Sequence, residues 1–284
     1  MNFSISEDWN NALILRYSPD KIIKIGKITL IKNNNLYICQ NFFDFDINDF
    51  EFKKIMELIN DNCQIRFSYL NDSMIKKIND LDNDKICKID YIDSWDAPIL
   101  LLEDLPYNYF LKSKHSQIKR NYSYYKKNNH KYIFHNSCDE DILNLWNFVL
   151  KIDYNSWKKD ENSDMKSLDR EDLQYLSYML KNPEKISLVV VCDLEERPLS
   201  YSLMFKGDND YWYAVKWGAS NEGRKLYVGF FALFNHIEYL WELSGNLNLD
   251  FWGRRNSTYD KLKNKALKRN HIILCKGEKN NENN

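Results

Sequence analysis

Residues 211–253, YWYAVKWGASNEGRKLYVGFFALFNHIEYLWELSGNLNLDFWG, constrain the fold more than any other part of the chain. The aromatic run Tyr211 to Trp217 reads as a strand. Gly218, Asn221 and Gly223 interrupt it. Apolar residues then recur in steps of three and four at Leu226, Phe230, Leu233, Phe234, Ile237, Leu240 and Trp241, the spacing of a helix buried along one stripe. Gly245 stops the helix, and Leu247, Leu249 and Phe251 alternate with Asn248 and Asp250 as in a strand. Strand, turn, helix, strand is the crossover that joins neighbouring parallel strands.

The turn is the place for chemistry. A helix start leaves backbone N–H groups free, and such an end attracts phosphate or another anion. Gly223 permits close approach, Asn221 can cap, and Arg224 adds charge. With Trp217, Gly218 and Lys225 they form the candidate cofactor-binding residues. The same pattern also suits a turn that only starts a helix. Its spacing fits neither a dinucleotide fingerprint nor a phosphate loop ending in Gly-Lys-Ser/Thr.

A chain of 284 residues with 44% hydrophobic and 15% aromatic content folds around a core, and two modest domains are expected. A formal net charge of -1 excludes a global attraction to nucleic acid. The six cysteines, at 39, 63, 87, 138, 192 and 275, form no C-x-x-C pair and no zinc-like cluster. They suit a reducing compartment, mostly as small buried hydrophobes. No metal ligand set is expected. MNFSISEDWNN shows no secretory leader, and no apolar run has membrane-spanning length, so the cytoplasm is expected.

In the first third, 22–31 and 36–39 read as strands around the turn 32–35, with 42–45 a possible extension. Asp49 is the expected cap of a helix over 51–60. A strand over 64–70, a helix over 72–80 and a strand over 85–92 follow, the pattern of a small α/β unit. Pro98 marks the crossing into the second half, where Trp95 and Asp96 are candidates to line a site, or Trp95 to pack at a junction.

Residues 106–131 carry seven Lys or Arg and no acid, with Phe110, Ile118, Tyr122 and Tyr125 near helical spacing. They read as one long basic helix, either drawn to an anionic partner or presenting a solvated face. A helix over 140–151, a polar loop over 154–169 holding Trp157, and a helix over 170–181 come next. The strands 186–192, 199–205 and 211–217, joined by tight turns, make an antiparallel meander. A basic helix over 257–269 and a strand over 271–275 end the pattern. A meander leading to a helix start that faces an anion is an acyl-transfer layout.

Taken in order, these features resemble the GNAT superfamily, and within it the two-domain FemAB-like branch that includes acetyltransferases of the CelD and BcsL type. The basic helix over 106–127, Trp157, the turn Glu195–Pro198, Gly223 before the long helix, and Leu249-Asp250-Phe251-Trp252-Gly253 with Tyr259-Asp260-Lys261 carry the likeness. It covers 91–275 well and the first 90 residues loosely. Glu196 stands where the family often has glycine, Glu222-Gly223 replaces Pro-Gly, Asp260 separates Tyr259 from Lys261, and Arg224 and Gly229 represent only part of a Gln/Arg-x-x-Gly-x-Gly/Ala loop.

The resemblance implies an α/β fold, a GNAT-like mixed sheet with flanking helices, in two tandem lobes over 1–95 and 96–284. It implies N-acyl transfer from acyl-CoA, acyl carrier protein or aminoacyl-tRNA to an amine of a small molecule or peptide, with no tightly bound cofactor, by a monomer or homodimer. Asp250, at a strand end, is the first candidate for base or acceptor clamp; otherwise it is a solvent-facing or capping aspartate. Tyr259 is a candidate proton donor to the leaving group, or packing. His115 is a candidate to approach the acceptor. Trp95, Trp157, Trp252, Arg254 and Lys261 are candidate substrate-binding residues. His236, beside core positions of the long helix, is expected to be structural. The competing reading is a non-catalytic GNAT-fold module that docks tRNA or an acidic carrier through the basic helix.

Overall fold

The computed structural model describes residues 6–39, 47–60, 62–82, 87–156, 165–207, 211–252 and 257–277. The chain divides into two compact units, 1–97 with 267–284, and 98–266. Among the described residues no helix is long and apolar enough to cross a membrane.

The first unit opens with a helix the sequence patterns above do not foresee, α1 (Glu7–Tyr17), capped by Ser6. Strands β1 (Lys21–Ile25) and β2 (Ile28–Asn33) replace the single strand expected over 22–31, because Gly26 takes a left-handed φ of 56° and folds Ile25 back onto Ile28. β3 (Leu36–Cys39) pairs antiparallel with β2 and parallel with β4 (Gln64–Leu70). The crossover between β3 and β4 contains α2 (Asp49–Met56). Its cap is Asn48, not Asp49: Asn48 and Glu51 form a reciprocal capping box. Next come α3 (Asp72–Leu81) and β5 (Cys87–Leu102), which enters the second unit at Pro98. The strand order is β1-β2-β3-β4, then the late strand β11 (Lys265–Lys276), then β5. Leu30, Ile65, Phe67 and Ile272 pack against Phe52, Ile55, Met74 and Ile78 in one core.

In the second unit the expected basic helix is two helices. α4 (Pro106–Leu111) ends at Lys112, and α5 (Ser116–Asn128) restarts after His115. Ile118, Tyr122 and Tyr125 of α5 are buried. The Tyr122 and Tyr125 hydroxyls both donate to the Glu238 carboxylate, and Lys126 pairs with it at 3.2 Å. The helix is therefore docked by its aromatic stripe while Lys119, Arg120 and Lys127 stay exposed. β6 (Ile133–Asn136), α6 (Ile142–Tyr154) and α7 (Met165–Lys181) follow, so α7 begins ahead of the expected 170.

β7 (Ile186–Cys192) is buried along its whole length, hence its unbroken apolar run. It forms with β8 (Pro198–Lys206) and β9 (Tyr211–Ala219) the expected antiparallel meander. A short helix α8 (Asn221–Lys225) and the long α9 (Phe231–Ser244) lead to β10 (Leu247–Asp250), parallel to β9. α10 (Ser257–Leu262) is shorter than the expected 257–269, because the chain is already extended from Lys265. The order is β5-β10-β9-β8-β7-β6, a mixed sheet flanked by helices. On one face Val189, Met204, Ala214 and Leu249 pack against Phe231, Phe234 and Ile237 of α9 and Tyr122 of α5. α6 packs on β7, β8 and β9.

Candidate functional site

β9 and β10 part early. Their parallel register covers only Tyr211 to Tyr213 against Asn248 to Asp250, and β10 ends there. β9 runs on for six residues, Ala214 to Ala219, paired among the described residues with β8 alone. A bulge at Val215 shifts the register, so Lys216 lies opposite Leu203 and Trp217 opposite Ser202.

Trp217 sits on the α9 side. Its indole N–H donates to the Gly229 carbonyl at 2.7 Å, and its ring lies 5.3 Å from Phe230 and 6.0 Å from Tyr259. Tyr259 is stacked on Phe251 at 4.6 Å with the rings 18° apart. On the same side His236 is fully buried with Nδ1 3.0 Å from the Ser202 hydroxyl, as expected of a structural histidine. Burial lowers its pKa to about 3, which keeps it neutral.

The other side of β9 carries a group the sequence reading misses. Lys216 Nζ lies 2.7 Å from Asp153 Oδ2 and closer still to Asp172, over the rings of Trp146 and Tyr175. The Tyr201 hydroxyl donates to both Asp153 oxygens, at 2.9 and 3.1 Å. Burial draws the Lys216 ammonium down, but Asp153 and Asp172 outweigh it and hold the group above its ordinary value. Burial and the Asp153 charge push the Tyr201 phenol well up. The available signal was one lysine within the apolar run Tyr211 to Trp217. Its partners lie far off in sequence, with no local pattern to tie them to it.

Asp250 closes β10 beside Tyr213 and is 1% exposed. It alternates out of the cluster that holds Leu249 and Phe251, but it is not solvent-facing. Trp252 is buried with a left-handed φ of 61°, its ring 6.2 Å from Tyr213. Trp217 and Tyr259 thus come together on the α9 face of the sheet, while Asp250 and Trp252 lie beside Tyr213, outside that cluster.

The turn over 218–225 differs from expectation in its backbone. The Asn221 N–H donates to the Asn155 carbonyl at 2.8 Å, the Gly223 N–H to the Ser220 hydroxyl at 3.0 Å, and the Arg224 N–H to the Ser220 carbonyl at 2.9 Å. These groups are used inside the protein, not left free. Gly223 serves close packing: a Cβ there would stand 2.3 Å from the Leu199 carbonyl oxygen. Gly218 likewise leaves room for the Tyr201 ring, since a Cβ would come within 2.8 Å of it. Arg224 and Lys225 are exposed. Ser220, Asn221 and Glu222 line a cavity of about 550 Å³ with Lys151, Asn155 and Arg197. Tyr227 then takes a left-handed φ of 60° with its side chain 75% exposed. In Arg224-x-x-Tyr227-x-Gly229 it occupies the place of the first loop glycine.

His115 and Lys261 lie in a separate open groove of about 870 Å³. Lys112, Lys114, Lys263 and Lys265 also line it, with Glu103 and Asp104. Lys261 donates to Gln117 Oε1 at 2.7 Å. Trp95 belongs to the first unit, edge-on to Tyr69 at 5.8 Å and to His271 at 4.7 Å. Trp157 and Arg254 lie outside the described residues.

No protein-family model matches the chain, and no curated protein matches it. Solved structures do. FemX superposes with a TM-score of 0.62 at 10% identity, over 94% of this chain and 90% of FemX. A conserved protein of unknown function from Bacteroides thetaiotaomicron gives 0.61 at 13% identity, over 97% and 92%. L-PGS from Bacillus licheniformis gives 0.60 at 9% identity, over 97% and 93%. At such identities the likeness is one of fold: a mixed α/β architecture with a helix-flanked sheet, shared with these three structures.

Proposed function

We propose that this protein is an N-acyltransferase, moving an acyl or aminoacyl group from a thioester or ester donor to an amine of a small molecule or peptide. The observation that carries the reading is the early parting of β9 and β10, with a buried carboxylate, Asp250, where their pairing stops. The fold shared with FemX supports it. The donor is acyl-CoA, an acylated carrier protein or aminoacyl-tRNA. Its carbonyl lies along the unpaired edge of β9, whose backbone N–H groups stabilise the developing oxyanion. Arg224 and Lys225 hold the donor's phosphate through their side chains, because the turn's own N–H groups are engaged.

The amine nitrogen attacks the carbonyl carbon and forms the new C–N bond. Asp250 takes the amine proton, the C–S or C–O bond breaks, and that proton passes on to the leaving thiolate or alkoxide, which restores the carboxylate. Tyr259 backs this site through its stack on Phe251, and Trp252 shapes the acceptor side. The test is single-turnover transfer from labelled acetyl-CoA, acylated carrier protein and aminoacyl-tRNA to mixed amines. Asp250→Asn should cut turnover about 10²–10⁴-fold with donor affinity nearly unchanged. Equal kcat and KM in the two proteins removes Asp250 from the site, and absence of transfer from every donor removes the enzyme.

The lysine-lined groove favours a second reading, a non-catalytic module that docks tRNA or an acidic carrier. Salt-sensitive binding without transfer would select it.

A further inference from the structure

We propose that Lys216 is a positioning residue whose buried ion cluster fixes the part of β9 that β10 leaves unpaired. The proposal rests on the reading of that edge as the place where the donor carbonyl is held.

Among the described residues, 214–219 pair with β8 on one side only, and the bulge at Val215 loosens even that ladder. Such a stretch needs ties from its faces. Trp217 supplies one, through Gly229 on the α9 side. Lys216 supplies the other. Its ammonium joins β9 to Asp153 at the end of α6 and to Asp172 on α7, and all three side chains are about nine-tenths buried.

The tie spreads from Asp153. The carboxylate accepts the Tyr201 hydroxyl, and the Tyr201 ring lies directly against Gly218, two residues beyond Lys216. Two residues after Asp153, the Asn155 carbonyl accepts the Asn221 N–H at the start of α8. The Ser156 hydroxyl closes the end of α6 by donating to the Asp153 carbonyl at 2.8 Å. The unpaired edge and the turn after it are therefore held from one point.

Stability alone does not call for such a group. Apolar residues of similar volume in place of a buried ion pair are often neutral or stabilising. What charged hydrogen bonds add is direction: they admit one arrangement of donor and acceptor, where methyl groups admit many. That is useful where backbone N–H groups must meet a reacting carbonyl within a fraction of an ångström.

The test removes the charges together, since Lys216→Met alone strands two carboxylates. In the triple variant Asp153→Asn, Asp172→Asn, Lys216→Met, amide hydrogen exchange at 214–219 and 221–223 should quicken about tenfold or more, while β7 and α9 stay within about twofold. Lys216→Arg keeps the charge and should remain near wild type. In transfer assays the triple variant should lose about tenfold or more in kcat with donor KM within about twofold. Unchanged exchange at 214–219, an equal rise throughout the unit, or unchanged kcat overturns the proposal. If the wild type transfers from no donor, the acyltransferase reading falls, and the exchange pattern alone decides the role of Lys216.

Discussion

On one face of β9, Trp217 leans on a run of rings, Phe230, Tyr259 and Phe251. On the opposite face its neighbour Lys216 sits between two carboxylates, with a phenol donating to one of them. The ionic face is enclosed and the aromatic face half-buried at Trp217 and Phe230, and the two respond differently to change. Rings gain from contact area, which a substitute of similar volume largely restores. Buried ions depend on one another, so removing one costs more than removing all. An aromatic face therefore tolerates drift, and an ionic face tolerates only concerted replacement.

The sharpest test of this contrast is Lys216→Met alone. It should cost about 3–5 kcal/mol in denaturant unfolding, whereas the triple neutral variant and Phe251→Leu should each cost less than about 1.5 kcal/mol. A small loss from the single change would show that the carboxylates do not need the ammonium. Gly218→Ala should follow at about 1–3 kcal/mol, since its Cβ meets the Tyr201 ring that donates to Asp153. A fully stable alanine variant would mean that Tyr201 shifts freely and is not part of the tie.

The smallest effect belongs to the aromatic side. Buried His236 titrates at about 3, far below an unfolded histidine. Its contribution is complete above pH 6.5 and is lost as pH falls, because only the unfolded chain takes up the proton. Between pH 6.5 and 5.5 the loss should be about 1 kcal/mol, and a His236→Leu variant should show a correspondingly flatter acid limb. Equal slopes would mean that the imidazole is protonated in the folded state.

The same contrast explains what could be read from the sequence. The meander, the crossover from β9 through α9 to β10, and the docking stripe of Ile118, Tyr122 and Tyr125 follow from local periodicity, and each is present. Breaks were harder. Gly26 splits one expected strand in two, and Lys112 to His115 split one expected helix, where polar residues suit either a helix or a turn. The end of α10 was obscured in the same way, because the basic run from Lys265 pairs as a strand. The position of Asp250 at the end of β10 follows from the alternation around it. The ion cluster could not be found in this way, since Asp153, Asp172, Tyr201 and Lys216 come from four elements and only the assembled sheet brings them together. The turn 218–225 shows a further limit: sequence locates a helix start but not which carbonyls already occupy its N–H groups.

The division of the chain also bears on the order of events at the ribosome. Residues 98–266 form one continuous stretch, but the first unit has strand β11 between β4 and β5. At ordinary synthesis rates that strand follows the rest of its unit by roughly ten to thirty seconds. During the interval β4 and β5 lack their intervening strand, and the core places of Ile272 and Leu274 are unfilled. The nascent amino-terminal unit is then a natural client for a chaperone, and early termination of translation just before residue 267 should leave it as the part that aggregates.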